Sequence, residues 1–160
     1  MPSFAVRSTL AAPPSAVLAR ALTMPGVNAE LMPLVRMTHP AEAAVLDVAR
    51  VPLGQVAFRS VLLLFGVLPI DVHALTLVRL DPTRGFLERS QSLLQRVWEH
   101  ERTVEPGPRG GCVVTDRVRF APRLPGVGWL LLPVMRAVFR HRHRRLAAAF
   151  GASAALDAGG

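Results

Sequence analysis

The chain has 160 residues, 51% of them hydrophobic, and a formal net charge of +8. That length accommodates one domain with a real core, and the apolar content excludes disorder over most of it. The single cysteine, Cys112, excludes an intrachain disulfide and a multi-cysteine metal site, and suits a reducing, cytoplasmic setting.

Residues 3–10 alternate between apolar and polar side chains, the period of a strand, and do not form a signal-peptide core. Pro13, Pro14 and Ser15 suit a helix start, with Val17, Leu18, Ala21 and Leu22 as its apolar stripe. Pro25-Gly26 should end that helix, and a short second helix over 27–31 should follow before Pro33. Residues 34–39 read as a second strand. The stretch 41–54 is ambiguous among loop, strand and helical turn. Residues 56–65 are apolar but Leu-rich, so periodicity does not separate strand from helix there.

Residues 72–80 are β-rich and end at the turn Asp81-Pro82-Thr83-Arg84-Gly85, with residues 86–91 as the partner strand. A further strand covers 94–104. The Pro- and Gly-rich stretch 105–111 reverses the chain, and residues 112–122 form the last strand. A long helix should run from about Gly128 to Phe150. The apolar run at 61–70 falls well short of the roughly 20 residues a membrane span requires. Pro133 and Arg136 interrupt the other candidate, 124–139. The expected organisation is one domain over 1–150, with an Ala/Gly-rich flexible tail over 151–160.

Strands joined by short turns make an antiparallel sheet, and a sheet with one apolar face must cover it. The final helix is the only element large enough. The expected class is therefore α+β: a curved antiparallel sheet wrapped around a long C-terminal helix, with a cavity between them as the natural ligand site.

Period two separates the faces of the last hairpin. Val114, Asp116, Val118 and Phe120 form an inner face, and Thr115, Arg117 and Arg119 face water. In the preceding strand the inner set is Leu94, Arg96, Trp98, His100, Arg102 and Val104. With the reversal centred near Pro108, Glu99 pairs with Arg117 and His100 faces Asp116. A slip of register by two residues puts Asp116 beside Trp98 or Arg102 instead. Either way His100, Arg102 and Asp116 cluster beside a Trp, as a satisfied structural network or as polar hooks for a ligand. On the helix, Leu132, Met135, Phe139, Leu146 and Phe150 share a stripe that also holds Arg142 and His143. Arg142 is thereby aimed at the sheet, where Glu88 or Asp116 would receive it. Arg136, Arg140 and Arg144 lie on a solvated flank.

Other chemistry finds little support. His141 and His143 lack helical metal-ligand spacing, and no Gly-rich phosphate loop or Gly-x-Ser-x-Gly elbow is present. No metal and no cofactor is expected. All 19 basic residues are Arg, which reads as codon bias, so nucleic acid is not an expected partner.

Pro25 to Leu31, Arg36-Met37-Thr38, Gly85 to Ser90, Trp98-Glu99-His100-Glu101-Arg102, Thr115-Asp116-Arg117-Val118 with Pro122-Arg123, and Phe139 to Leu146 together resemble the SRPBCC or START-like superfamily. The likeness spans roughly residues 4–150. It implies a helix-grip fold: a curved sheet of about seven strands, two short helices after the first strand, and a C-terminal helix closing a deep pocket. It also implies binding of lipids, polyketides or other apolar molecules, and in some members cyclase or aromatase activity. The chain has no Tyr, which removes one acid group such enzymes could use.

The first functional expectation is a non-catalytic binder with its pocket between the 94–122 hairpin and the final helix. Trp98, Val118, Phe120, Met135 and Phe139 would give apolar contact; Glu88, His100, Arg102, Asp116 and Arg142 would give polar contact. The second is a cyclase- or dehydratase-like enzyme with His100 as base and Asp116 as its orienter. The third is a module docking weakly on anionic membrane, or on a partner, through the Arg136–Arg145 stripe. The oligomeric expectation is a monomer or homodimer.

Overall fold

The structure is a computed structural model that describes residues 1–153. Alternating apolar residues build strand β1 (Ser3–Leu10), and after helices α1 (Pro14–Ala21) and α2 (Met24–Leu31) the chain enters β2 (Val35–Met37). A 3-10 turn at Ala41–Ala43 and irregular backbone lead to β3 (Val56–Leu64). Then follow β4 (Leu68–Asp81), β5 (Gly85–Ser92), β6 (Gln95–Pro106), β7 (Cys112–Pro122) and the long helix α3 (Val127–Phe150). The Leu-rich stretch that pattern alone left undecided is thus a strand.

The strands form one antiparallel seven-stranded sheet in the order β1-β7-β6-β5-β4-β3-β2. It curls into a half-barrel, with α3 lying across β1 and β7 and packing on α2. This is the α+β class expected from the element order.

Pro25-Gly26 does not separate the helices as expected. Pro25 sits in the first turn of α2, where its missing N–H costs nothing, and Thr23 caps that turn by accepting from the Gly26 amide at 3.0 Å. Gly26 is required by packing: a Cβ there would lie 2.1 Å from the Arg20 carbonyl oxygen.

The β6–β7 register is the two-residue slip. Arg102 faces Asp116, His100 faces Val118 and Glu99 faces Arg119. The turn at Pro108–Gly110 puts Arg109 (φ 53°) and Gly110 (φ 75°) in left-handed conformations, so the reversal centres on Arg109 rather than Pro108. Glu99 therefore meets Arg119 on the convex face at 3.5 Å, and not Arg117. A bulge between Gln95 and Val97 also inverts the start of β6. Gln95 is buried, while Leu94 and Arg96, expected inward, are exposed.

Beyond α3, Ala152 bridges to Leu10 and the Ser153 amide donates to the Thr9 carbonyl, which ties residues 151–153 to β1. The rest of the expected tail, 154–160, lies outside the described residues. No helix among the described residues is long and apolar enough to cross a membrane.

Candidate functional site

α3 rests directly on the β1–β7 side of the sheet. Phe4, Val118, Phe120 and Phe139 fill that contact, with the Phe4 and Phe139 rings edge to face at 5.5 Å. On the far side, Met24, Phe58, Leu75 and Leu77 form a separate cluster. Between these two bodies lies a cavity of about 1100 Å³ that opens to solvent. Its walls are mostly apolar, from Leu22, Met24 and Leu31 on the helices to Leu62, Leu75 and Phe86 on the sheet.

Glu88, Trp98, His100, Met135, Phe139 and Arg142 border this space. Arg102, Asp116, Val118 and Phe120 do not. Of β7 only Pro122 reaches the cavity, because α3 covers that strand and the open space falls over β3 to β6 instead.

Arg102 and Asp116 belong to a buried ionic network. Asp116 Oδ1 accepts from Arg102 Nε at 2.8 Å and His100 Nε2 at 3.0 Å. Its Oδ2 accepts from Arg102 Nη2 at 2.7 Å and His143 Nε2 at 3.1 Å. The other side of the Arg102 guanidinium donates to both oxygens of Glu30, at 2.8 and 2.9 Å. Arg142 donates to Glu30 Oε2 from Nε and Nη2, at 3.0 and 2.9 Å. The expected acceptors of Arg142, Glu88 or Asp116, are thus replaced by Glu30, which the sequence reading missed. Glu30 is 1% exposed and sits on α2, between the sheet and α3. Its only sequence signal was an acid between Ala29 and Leu31 in a short apolar helix, and its burial follows from how α2 docks.

Burial alone would raise the Glu30 and Asp116 carboxyls. The facing guanidinium of Arg102 outweighs burial at both, joined by Arg142 at Glu30 and His100 at Asp116, and both pKa values are lowered, that of Asp116 far below the ordinary carboxylate range. Burial likewise pulls Arg102 down, but Asp116 and Glu30 hold its pKa well above the usual arginine value.

A second polar group stands on the cavity wall. Glu88 Oε1 accepts from His73 Nε2 and Ser90 Oγ, both at 2.6 Å, and His100 Nδ1 lies 3.8 Å from Glu88 Oε2. Burial raises the Glu88 carboxyl, yet the His100 and His73 imidazoles that face it prevail and its pKa is strongly lowered. Burial lowers His73, yet the bond to Glu88 and the charges of Glu88 and Asp71 leave its pKa raised. Asp71 is occupied in holding the β5–β6 turn, accepting from Ser92 Oγ at 2.6 Å and from the Leu94 amide at 3.1 Å. The amide oxygen of Gln95 differs from all of these: it is buried and has no hydrogen-bond partner among the described residues, and Gln95 is one of the residues that line the cavity. Among the described residues no cluster of His, Cys, Asp and Glu is arranged to hold a metal.

A curled antiparallel sheet closed by a C-terminal helix, with two short helices after the first strand, is the helix-grip architecture of START-like proteins. The solved structures agree. A START superfamily protein from Mycobacterium smegmatis superposes with a TM-score of 0.65 at 8% identity, over 92% of this chain and 96% of that one. Protein CV1439 from Chromobacterium violaceum superposes with a TM-score of 0.69 at 14% identity, over 94% and 99%. DynU16, from the dynemicin biosynthetic locus, reaches 0.55 at 14% identity; 93% of this chain covers 48% of its length. No curated protein matches the sequence. The chain belongs to the family described as a domain of unknown function, DUF8410, whose model matches residues 8–150.

Proposed function

We propose that the protein binds an apolar or amphipathic small molecule, such as a lipid or polyketide, in the cavity between the sheet and α3. The observation that carries this reading is a space of about 1100 Å³, walled by aliphatic and aromatic side chains, with few polar groups. That is the composition of small-molecule pockets, and its size is at the upper end of their usual range of about 300–1,000 Å³. The helix-grip fold shared with the START superfamily neighbour supports the same use.

Within this reading Trp98, Met135 and Phe139 supply apolar contact from the named set, and Arg102 and Asp116 act as structural supports. Gln95 orients the guest by accepting a hydrogen bond from a hydroxyl or N–H group. Its oxygen is buried without a partner among the described residues, so a turn of the amide toward the cavity would bring it to a guest donor and relieve a cost of about 1–3 kcal/mol. Gln95→Leu is expected to weaken a hydroxylated ligand by roughly tenfold while leaving a hydrocarbon analogue of equal length unchanged, as read by competition binding. Equal loss for both would remove the polar role.

The catalytic alternative has less support. His100 meets Asp116 through Nε2, while Nδ1 faces Glu88. Asp116 is itself shared with Arg102 and His143. Asp116 is therefore held inside the buried ionic network and does not border the cavity, so it is a structural counter-charge rather than the orienter of a base aimed at a guest. The buried, unpaired Cys112 suits a reducing compartment, and we assign the protein to the cytoplasm on that basis.

Native mass spectrometry of freshly purified protein tests the binding reading. It should show a co-purifying apolar molecule that solvent extraction removes. Val138→Trp, which projects an indole into the cavity from α3, should lower occupancy at least about tenfold with the fold retained. A protein that neither co-purifies with nor takes up any apolar probe would refute it.

A further inference from the structure

We infer that the mouth of the cavity is a docking surface for an anionic lipid bilayer, which on the binding reading above is also the source or acceptor of the guest. The rim is built from separate elements that converge only in the folded chain. The β3–β4 hairpin contributes Phe65 and Val67, 64% and 79% exposed. The β5–β6 turn contributes Leu93 and Leu94, and the approach to α3 contributes Leu124, all exposed. The first turns of α3 add Trp129 and Leu130, 65% and 77% exposed, and Val134. Phe65, Leu93, Leu94, Leu124 and Val134 all border the one cavity, so they surround its opening. So many large apolar side chains facing water in one zone mark an interaction surface, and here they encircle a hole.

Charge selects the partner. α3 carries no acidic residue along its length. At 100° per residue, Trp129 continues into Arg136 and Arg140, and Leu130 continues through Ala137 into Arg144. All of these arginines are exposed. Exposed Arg123 follows β7, and exposed Arg36 pairs with Leu63 next to the Phe65 hairpin. Asp71, the carboxylate that follows the β3–β4 hairpin, is buried and occupied by Ser92 and the Leu94 amide. The surface therefore offers apolar side chains and an amphipathic aromatic to insert, with guanidinium groups placed to meet phosphates. A bilayer satisfies both features and leaves the opening in contact with an apolar phase. A rigid protein partner seated on the same ring would close the cavity.

Flotation with vesicles tests this, comparing pure phosphatidylcholine with phosphatidylcholine containing roughly a third phosphatidylglycerol. The full chain should float with the anionic vesicles, and less so at high salt. Val67→Asp combined with Leu130→Asp should reduce this at least about tenfold, and Arg136→Glu and Arg140→Glu about fivefold each, none of these residues bordering the cavity. These side chains are exposed, so unchanged melting temperatures will show that the fold persists. Val138→Trp should lose the guest yet still float, and the rim variants should still bind a water-dispersed apolar probe, so failure of docking and failure of the cavity reading are told apart. Absence of flotation, equal flotation with neutral vesicles, or rim variants that float like the parent would overturn the proposal. So would rim variants that convert a dimer into monomers while vesicle binding is absent, which would make a second copy of the chain the occupant.

Discussion

Glu30→Gln is expected to destabilise the protein by about 3–5 kcal/mol, a drop in melting temperature of roughly 10 °C. Glu30 accepts from both Arg102 and Arg142, and Arg102 is 1% exposed. Neutralising the carboxylate removes the counter-charge that both guanidinium groups share and leaves the fully buried Arg102 with Asp116 as its remaining carboxylate. The loss should exceed that from any surface pair, such as Arg89 with Glu99 on the convex face. Adding Arg142→Met should recover much of it, because Arg102 keeps its bonds to Asp116 from Nε and Nη2. A double-mutant cycle in chemical denaturation measures that coupling. A Glu30→Gln protein within about 1 kcal/mol of the parent would mean that the network is not buried as described. The consequence reaches the cavity, since Glu30 fixes α2, and Met24 and Leu31 of that helix are part of its wall.

Acid should unfold the protein steeply. Glu30, Glu88 and Asp116 all have pKa values lowered in the fold. A depressed carboxylate contributes stability that is complete above its unfolded pKa, near 4, and is lost as pH falls through the folded value. Each such group adds a slope of about 1.4 kcal/mol per pH unit in that window, so together they approach about 4. His73 works in the opposite direction. Its folded pKa is raised, so its contribution is complete below about 6.5 and fades as pH climbs through the folded value. Stability should therefore be greatest between roughly pH 5 and 6.5, fall sharply below pH 4, and decline gently on the alkaline side. Glu30→Gln should shallow the acid limb, and His73→Gln should flatten the alkaline one. Melting curves taken across pH check both; an acid limb no steeper in the parent than in Glu30→Gln would contradict the charge assignment.

Much of this architecture was legible in the chain. The two-residue period of β1 and β7, the Pro- and Gly-bearing turns and the length of α3 led to an antiparallel sheet, the order of elements along the chain and the covering helix; that β1 lies beside β7 did not follow from them. The pairing of inner-face polar residues was only half legible. Period two assigns Arg102 and Asp116 to the same face, but the turn at Arg109 decides that they are opposite each other. The bulge after Gln95 was invisible, because one extra residue reverses which side chains face inward without altering composition. Hence Gln95, proposed to orient a guest, falls outside the inner set that period two assigns to this strand.

What the sequence determined by itself is what depends on near neighbours: which segments extend, which coil, where they reverse, and that Arg142 must turn inward. Its partner was decided elsewhere, since Glu30 approaches it across 112 residues of chain through the docking of α2 on α3. The same holds for the cavity and its rim. Whether α3 touches β7 or stands off β4 depends on the curl of the whole sheet, and Phe65, Leu93 and Leu124 become neighbours of one opening only after that curl has formed. Local periodicity records which face a residue occupies; the distance between faces arises from packing alone.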